Sequence, residues 1–193
     1  MGLVDRARGI ILNPREEWRA IDTEQTTVGN LYRSYVAPLA AIGPIATIIG
    51  SSVFGVTVPL VGAVRASPGA ALAQGVVTYV LTLAGTYVFA LVIDALAPTF
   101  AGTKNATQAL KLAVYASTAA WLAGVFAIVP VLGILGLVGL YSLYLLYLGL
   151  PVLMKAPQDR ALTYTVAVVV VAIVIYVVVG AIAASLAAPL FAT

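Results

Sequence analysis

Cysteine and histidine are both absent from this chain of 193 residues, and only 9% of its residues are charged. Without cysteine there is no disulfide, no thiolate nucleophile and no iron–sulfur ligation; without histidine the commonest general base and most zinc, copper and haem ligand sets go as well. Ser/His and Cys/His hydrolytic constellations cannot be assembled. A phosphate-binding glycine loop, a dinucleotide fingerprint and an EF-hand loop are also missing, and no basic cluster with interleaved aromatics suggests nucleic acid. The expectation is a non-enzyme with no cofactor and no metal. The scarcity of charge says more. Soluble domains carry roughly 25% charged residues, whereas this chain is 62% hydrophobic with a mean hydropathy of +1.08. Lipid must be its main solvent.

The few charges separate long silent stretches: Ser34 to Val64, Ala66 to Ile93, Leu112 to Met154, and Ala161 to Thr193. As a helix the third would run about 64 Å, twice the roughly 30 Å of a hydrocarbon core. Pro130 and Gly133 sit near its middle, where a reversal belongs. The runs predict an all-α membrane protein, a five-helix transmembrane bundle with spans near 37–58, 71–97, 109–129, 132–153 and 162–186. Residues 1–35 form a separate amphipathic segment and 36–193 the membrane domain. Pro38, Gly43, Pro44 and Gly50 predict a bent first span. The runs do not alternate, which argues against a barrel. With the N-terminus in the cytoplasm, nine of the ten basic residues fall inside and only Arg65 outside. That bias follows the positive-inside rule and puts the C-terminus outside. Met1 to Asp5 does not open a secretory signal, and Arg6 in place of Ser or Thr spoils a myristoylation motif at Gly2.

Before the first span, Leu3, Val4, Ala7, Ile10 and Ile11 recur at helical spacing. Asn13 and Pro14 then restart the chain, with Asn13 and Glu16 spaced as a capping box. Trp18 and Ile21 share one face of this second helix, opposite Arg15, Glu16, Glu17 and Arg19. Arg6, Arg8, Arg15, Trp18 and Arg19 therefore read as an interfacial anchor on the inner leaflet, or more sharply as a docking surface for a cytoplasmic protein.

Polar groups inside the spans are few. Asp94 is the only acid, and an intramembrane acid is a functional-site hypothesis by default. Tyr115, Tyr144, Tyr147 and Lys111 lie at its level, so a cluster of Asp94, Lys111, Tyr115, Tyr144 and Tyr147 is the first candidate site. The plainer alternative is an aromatic belt with hydrogen bonds between helices. Gln74, Thr78, Thr82 and Thr86 form an i, i+4 ridge that could line a polar path or bind helices together. Gly133, Gly136, Gly139, Gly180 and Ala184 read as small-residue packing faces, or as a homo-oligomer interface. Transporters usually show repeats and broken midplane helices, and no repeat is visible here.

Several spaced motifs resemble the Yip family (Rab/Ypt-interacting protein domain), in its prokaryotic branch. They are the stretch from Tyr141 through Gly149 and Pro151 to Lys155, continuing at Arg160-Ala-Leu-Thr-Tyr-Thr; Ile11-Leu-Asn-Pro-Arg-Glu-Glu-Trp18 with Tyr35-Val-Ala-Pro; and Ala97-Pro-Thr-Phe-Ala-Gly-Thr-Lys-Asn105 with Gln108-Ala-Leu-Lys-Leu-Ala. The resemblance runs nearly the whole chain. It implies a five-span bundle with a cytoplasmic N-terminus, and no chemistry. The functional expectation is a bacterial inner-membrane protein acting through lipids or a protein partner, and alternatively a small permease using Asp94 and the threonine ridge.

Overall fold

The computed structural model describes residues 2–58, 62–65 and 67–187. Two short helices come first: α1, Leu3–Leu12, and α2, Pro14–Thr23. Among the described residues, five helices long and apolar enough to cross a membrane follow. They are α3 (Val28–Val53), α4 (Pro68–Phe100), α5 (Ala106–Ile128), α6 (Val131–Leu153) and α7, which runs Gln158–Ala187. One two-stranded antiparallel hairpin, β1 (Val56–Val58) with β2 (Gly62–Val64), joins α3 to α4.

The first span begins earlier and ends sooner than the apolar run predicts. Thr27 caps its start, its hydroxyl accepting from the Asn30 amide at 3.2 Å, so Asn30 and Arg33 are inside the helix although they are polar. Pro38 has no amide hydrogen and crowds the preceding turn. The chain answers with a π-turn over Tyr32–Val36 and a break at Ala41. At the far end Gly55, with φ of 80°, takes a left-handed conformation that stops the helix. The Phe54 and Gly55 amides both donate back to the Gly50 carbonyl. Residues 56–58 are strand instead of helix.

The reversal expected near Pro130 falls at Val129, which is extended between Ile128 and Pro130. α5 and α6 pair along the resulting hairpin, and both flanks, Gly124–Ile128 and Pro130–Leu140, wind as tight 3-10 turns. Among the small residues, Gly139 does pack: a Cβ there would lie 3.2 Å from Ala120 Cα. Gly133, Gly136 and Gly180 face open space, and the side chain of Ala184 lies outside the described residues. The decisive glycines are on α3. A Cβ on Gly50 would sit 2.4 Å from the Ala127 carbonyl oxygen, so α3 and α5 cross there backbone to backbone.

Burial is asymmetric along the bundle. The fully buried large side chains, among them Ile10, Trp18, Ile21, Ile93, Leu112, Leu150, Met154 and Tyr164, gather where α1 and α2 meet the connections α4–α5 and α6–α7. Those connections are tied to each other, the Thr103 amide donating to the Met154 carbonyl at 2.7 Å. We call this the charged end. Toward the other end, Val131, Ile134, Leu137 and Val138 on α6 and Val174 and Val177 on α7 face outward, as suits side chains solvated by lipid.

Candidate site at the charged end

α1 and α2 are part of the bundle core. Leu3, Ala7 and Ile10 make one stripe of α1, and Trp18 with Ile21 one stripe of α2; Ile10, Trp18 and Ile21 have no exposed surface. The indole of Trp18 lies over Gly149 of α6, where a Cβ would meet Trp18 Cε2 at 2.8 Å and Leu112 Cδ1 at 2.4 Å. Only a glycine leaves room for that ring. Trp18 and Arg6, expected at a lipid interface, are instead inside the protein. Lipid and protein interior select the same apolar stripe, so periodicity alone could not tell them apart. Asn13 ends α1 with its amide on the Gly9 carbonyl and starts α2 without a side-chain cap. The capping box does not form.

A buried ion network locks the two helices. The Arg6 guanidinium donates to Glu17 and to Glu24, with Glu17 seated against Gly9. Arg6 also stands 5.6 Å from the centroid of the Tyr115 ring on α5, a cation–π contact. Tyr115 meets Tyr35 of α3 edge-on at 4.8 Å. The Thr118 hydroxyl donates to the Tyr115 carbonyl at 2.7 Å, which leaves it to accept from the Tyr35 hydroxyl at 2.9 Å. The C-terminal end of α2 is held by cations and an amide. Lys111 Nζ, almost fully buried, donates to the carbonyls of Ile21 (2.8 Å) and Glu24. Gln108 Nε2 reaches both the carbonyl and the carboxylate of Asp22, at 2.9 and 3.0 Å. Lys155 Nζ lies 2.6 Å from Asp22 Oδ2. Positive groups at a helix C-terminus complement its dipole.

The five members of the first candidate cluster separate. Lys111 and Tyr115 join the Arg6 network. Asp94 faces another side of the bundle: its Oδ2 is 3.8 Å from Lys104 Nζ, and its Oδ1 is buried with no partner among the described residues. Beside it Tyr164 of α7 donates to the Ile93 carbonyl and stacks on Phe100 at 4.8 Å. Tyr144 and Tyr147 are exposed on α6. Elsewhere tyrosine hydroxyls tie helices together through backbone carbonyls: Tyr32 to Leu83, Tyr79 to Ala37, and Tyr141 to Ile11, at 2.9 to 3.0 Å.

On the ridge, Thr82 and Thr86 donate to carbonyls one turn back on their own helix, each at 2.8 Å. Both line an apolar cavity of about 410 Å³ between α4, α5, α6 and α7, while Gln74 and Thr78 lie beyond it. Of the anchor residues, Arg8, Arg15 and Arg19 remain exposed. Arg15 and Arg19 line a second cavity of about 360 Å³ with Tyr147, Pro151 and Gln158.

Sequence reasoning missed Glu17, Glu24, Gln108 and Asp22 as partners. Glu17, expected on the wet face opposite Trp18 and Ile21, is buried beside them; it stands one turn before Ile21, and that spacing was the available signal.

The Yip1 domain matches residues 8–181 of the chain. The protein belongs to the Yip1 family. That match begins inside α1, takes in all of α2 and runs through the long helices to residue 181 of α7. With its five apolar helices, this Yip1 protein is a multi-pass membrane protein. No curated protein and no solved structure matches it significantly.

Proposed function

We propose that this Yip1 protein is a non-enzymatic component of a bacterial inner membrane, with its N-terminus in the cytoplasm and its C-terminus outside. It works by contact with lipid or protein at the inner leaflet. The observation that carries the reading is the docked α1–α2 pair. Its apolar faces and Arg6 are used internally, and its outer face still presents Arg8, Arg15 and Arg19. Basic groups beside the spans, against the lone Arg65 at the opposite end, support the orientation. A surface held rigidly at the membrane boundary suits binding, and the Arg6 network suits a scaffold.

The test is labelling with a membrane-impermeant maleimide, for which the natural lack of cysteine is an advantage. Phe54→Cys should react in intact cells and Arg8→Cys only after lysis. The reverse pattern would overturn the orientation and, with it, the inner-leaflet surface. Ion or solute flux across proteoliposomes above the protein-free background, lost in Asp94→Asn, would replace this reading with a permease.

A further inference from the structure

The cavity that holds Arg15 and Arg19 has features the scaffold does not need. The two arginines are one turn apart on α2, an arrangement of like charges that is unfavourable in a helix. Neither has a carboxylate within 4.0 Å among the described residues, and the two line the same cavity. They share the cavity with Tyr147 of α6 and Gln158 at the start of α7, both further hydrogen-bond donors. Pro151 and Leu148 form its apolar wall. The cavity lies within about 10 Å of the charged ends of α6 and α7, since Tyr147 is six residues before Leu153.

We infer that this cleft binds the phosphodiester headgroup of an anionic phospholipid, a reading that rests on the inner-leaflet placement proposed above. Arginine's planar fork suits phosphate oxygens, and the pair supplies the positive charge that an anionic lipid, and not a zwitterionic one, would neutralise. The apolar surface beyond the cleft identifies a lipid over a free phosphate. Leu140 and Tyr144 continue up α6 from Tyr147, and Leu162 and Val166 continue up α7 from Gln158, all four exposed. They make a track from the headgroup site toward the hydrocarbon, where acyl chains would lie.

The experiment uses the full-length protein, delipidated in an uncharged detergent and titrated with equimolar phosphatidylglycerol and phosphatidylcholine, with retained lipid counted by native mass spectrometry. Wild type should keep one phosphatidylglycerol per chain with a preference of roughly thirtyfold, as expected for two cationic contacts at about 1 kcal/mol each. Arg15→Gln with Arg19→Gln should remove most of that preference. Arg33→Gln with Arg65→Gln, the same charge change on exposed residues outside the cleft, should leave it intact. Gln158→Glu, which adds a carboxylate and keeps both guanidinium groups, should lower it. Equal retention of the two lipids by wild type would overturn the assignment, as would a preference that survives Arg15→Gln with Arg19→Gln. Displacement of the lipid by millimolar inorganic phosphate would assign the cleft to a soluble phosphate group instead. Loss of the lipid preference with the maleimide pattern intact would overturn this cleft alone; a reversed pattern would overturn the orientation on which it rests.

Discussion

Replacing Arg6 by glutamine removes the one cation that pairs with Glu17 among the described residues. The guanidinium side chain is only 7% exposed, and its two carboxylates differ: Glu17 is 11% exposed and Glu24 is 40%. Glu24 can turn into water when Arg6 is lost. Glu17 cannot, because its carboxylate is held against Gly9 with α1 on one side and the bundle on the other. Breaking a buried pair from one side leaves an uncompensated charge, which costs about 3–5 kcal/mol. For a chain of this size each kcal/mol moves the melting point by about 2–4 °C, so Arg6→Gln should lower the apparent Tm by roughly 6–20 °C. Arg6→Gln with Glu17→Gln removes both charges and should recover much of the loss, with a coupling of about 2 kcal/mol. Thermal unfolding in detergent, followed by tryptophan emission, measures this directly because Trp18 packs beside the network. Arg8→Gln is the control, since Arg8 is exposed on the same helix. The reasoning fails if Arg6→Gln and Arg8→Gln melt together, or if the double variant is no more stable than Arg6→Gln.

Three further outcomes follow from the packing. Gly149→Val should lower stability by about 1–3 kcal/mol in the same melt, because the new side chain occupies the space of the Trp18 ring. Lys111→Met takes the side-chain donor from the Glu24 carbonyl and leaves the Ile21 carbonyl only the long bond from the Glu24 amide, 3.3 Å; hydrogen exchange at residues 20–24 should speed up while the centre of α5 stays protected, at a cost of about 1–3 kcal/mol. Gly50→Ala sets a methyl against the Ala127 carbonyl, where no flexible side chain can give way. It should reduce the yield of monodisperse protein more than Gly133→Ala, whose new methyl meets nothing within 4 Å.

The long helices were legible because lipid demands about 20 apolar residues per crossing, and the charge gaps mark where each crossing ends. Their ends were less so. Thr27 capping and the left-handed Gly55 set the limits of α3, and both act through backbone geometry that hydropathy does not register. The candidate cluster was drawn from depth alone. Depth does not fix neighbours, which depend on the angular order of the helices. α4 contacts α3, α5 and α7, while α6 carries α2. Nothing in one chain's apolar periodicity encodes that order. The N-terminal pair is the most instructive case. Its helices and their apolar faces were readable, but whether those faces met lipid or protein was decided by Gly149, a residue more than 100 positions away.

That placement of α1 and α2 inside the bundle is the account's central claim, and Trp18 reports on it. A Trp121→Phe variant leaves Trp18 as the only tryptophan. Reconstituted in bilayers whose acyl chains carry bromine, this protein should show blue-shifted emission that neither the brominated lipid nor aqueous acrylamide quenches, because the ring has no exposed surface. Strong quenching by the brominated lipid in folded protein would contradict the account, for it would put α2 on the membrane surface and not in the core.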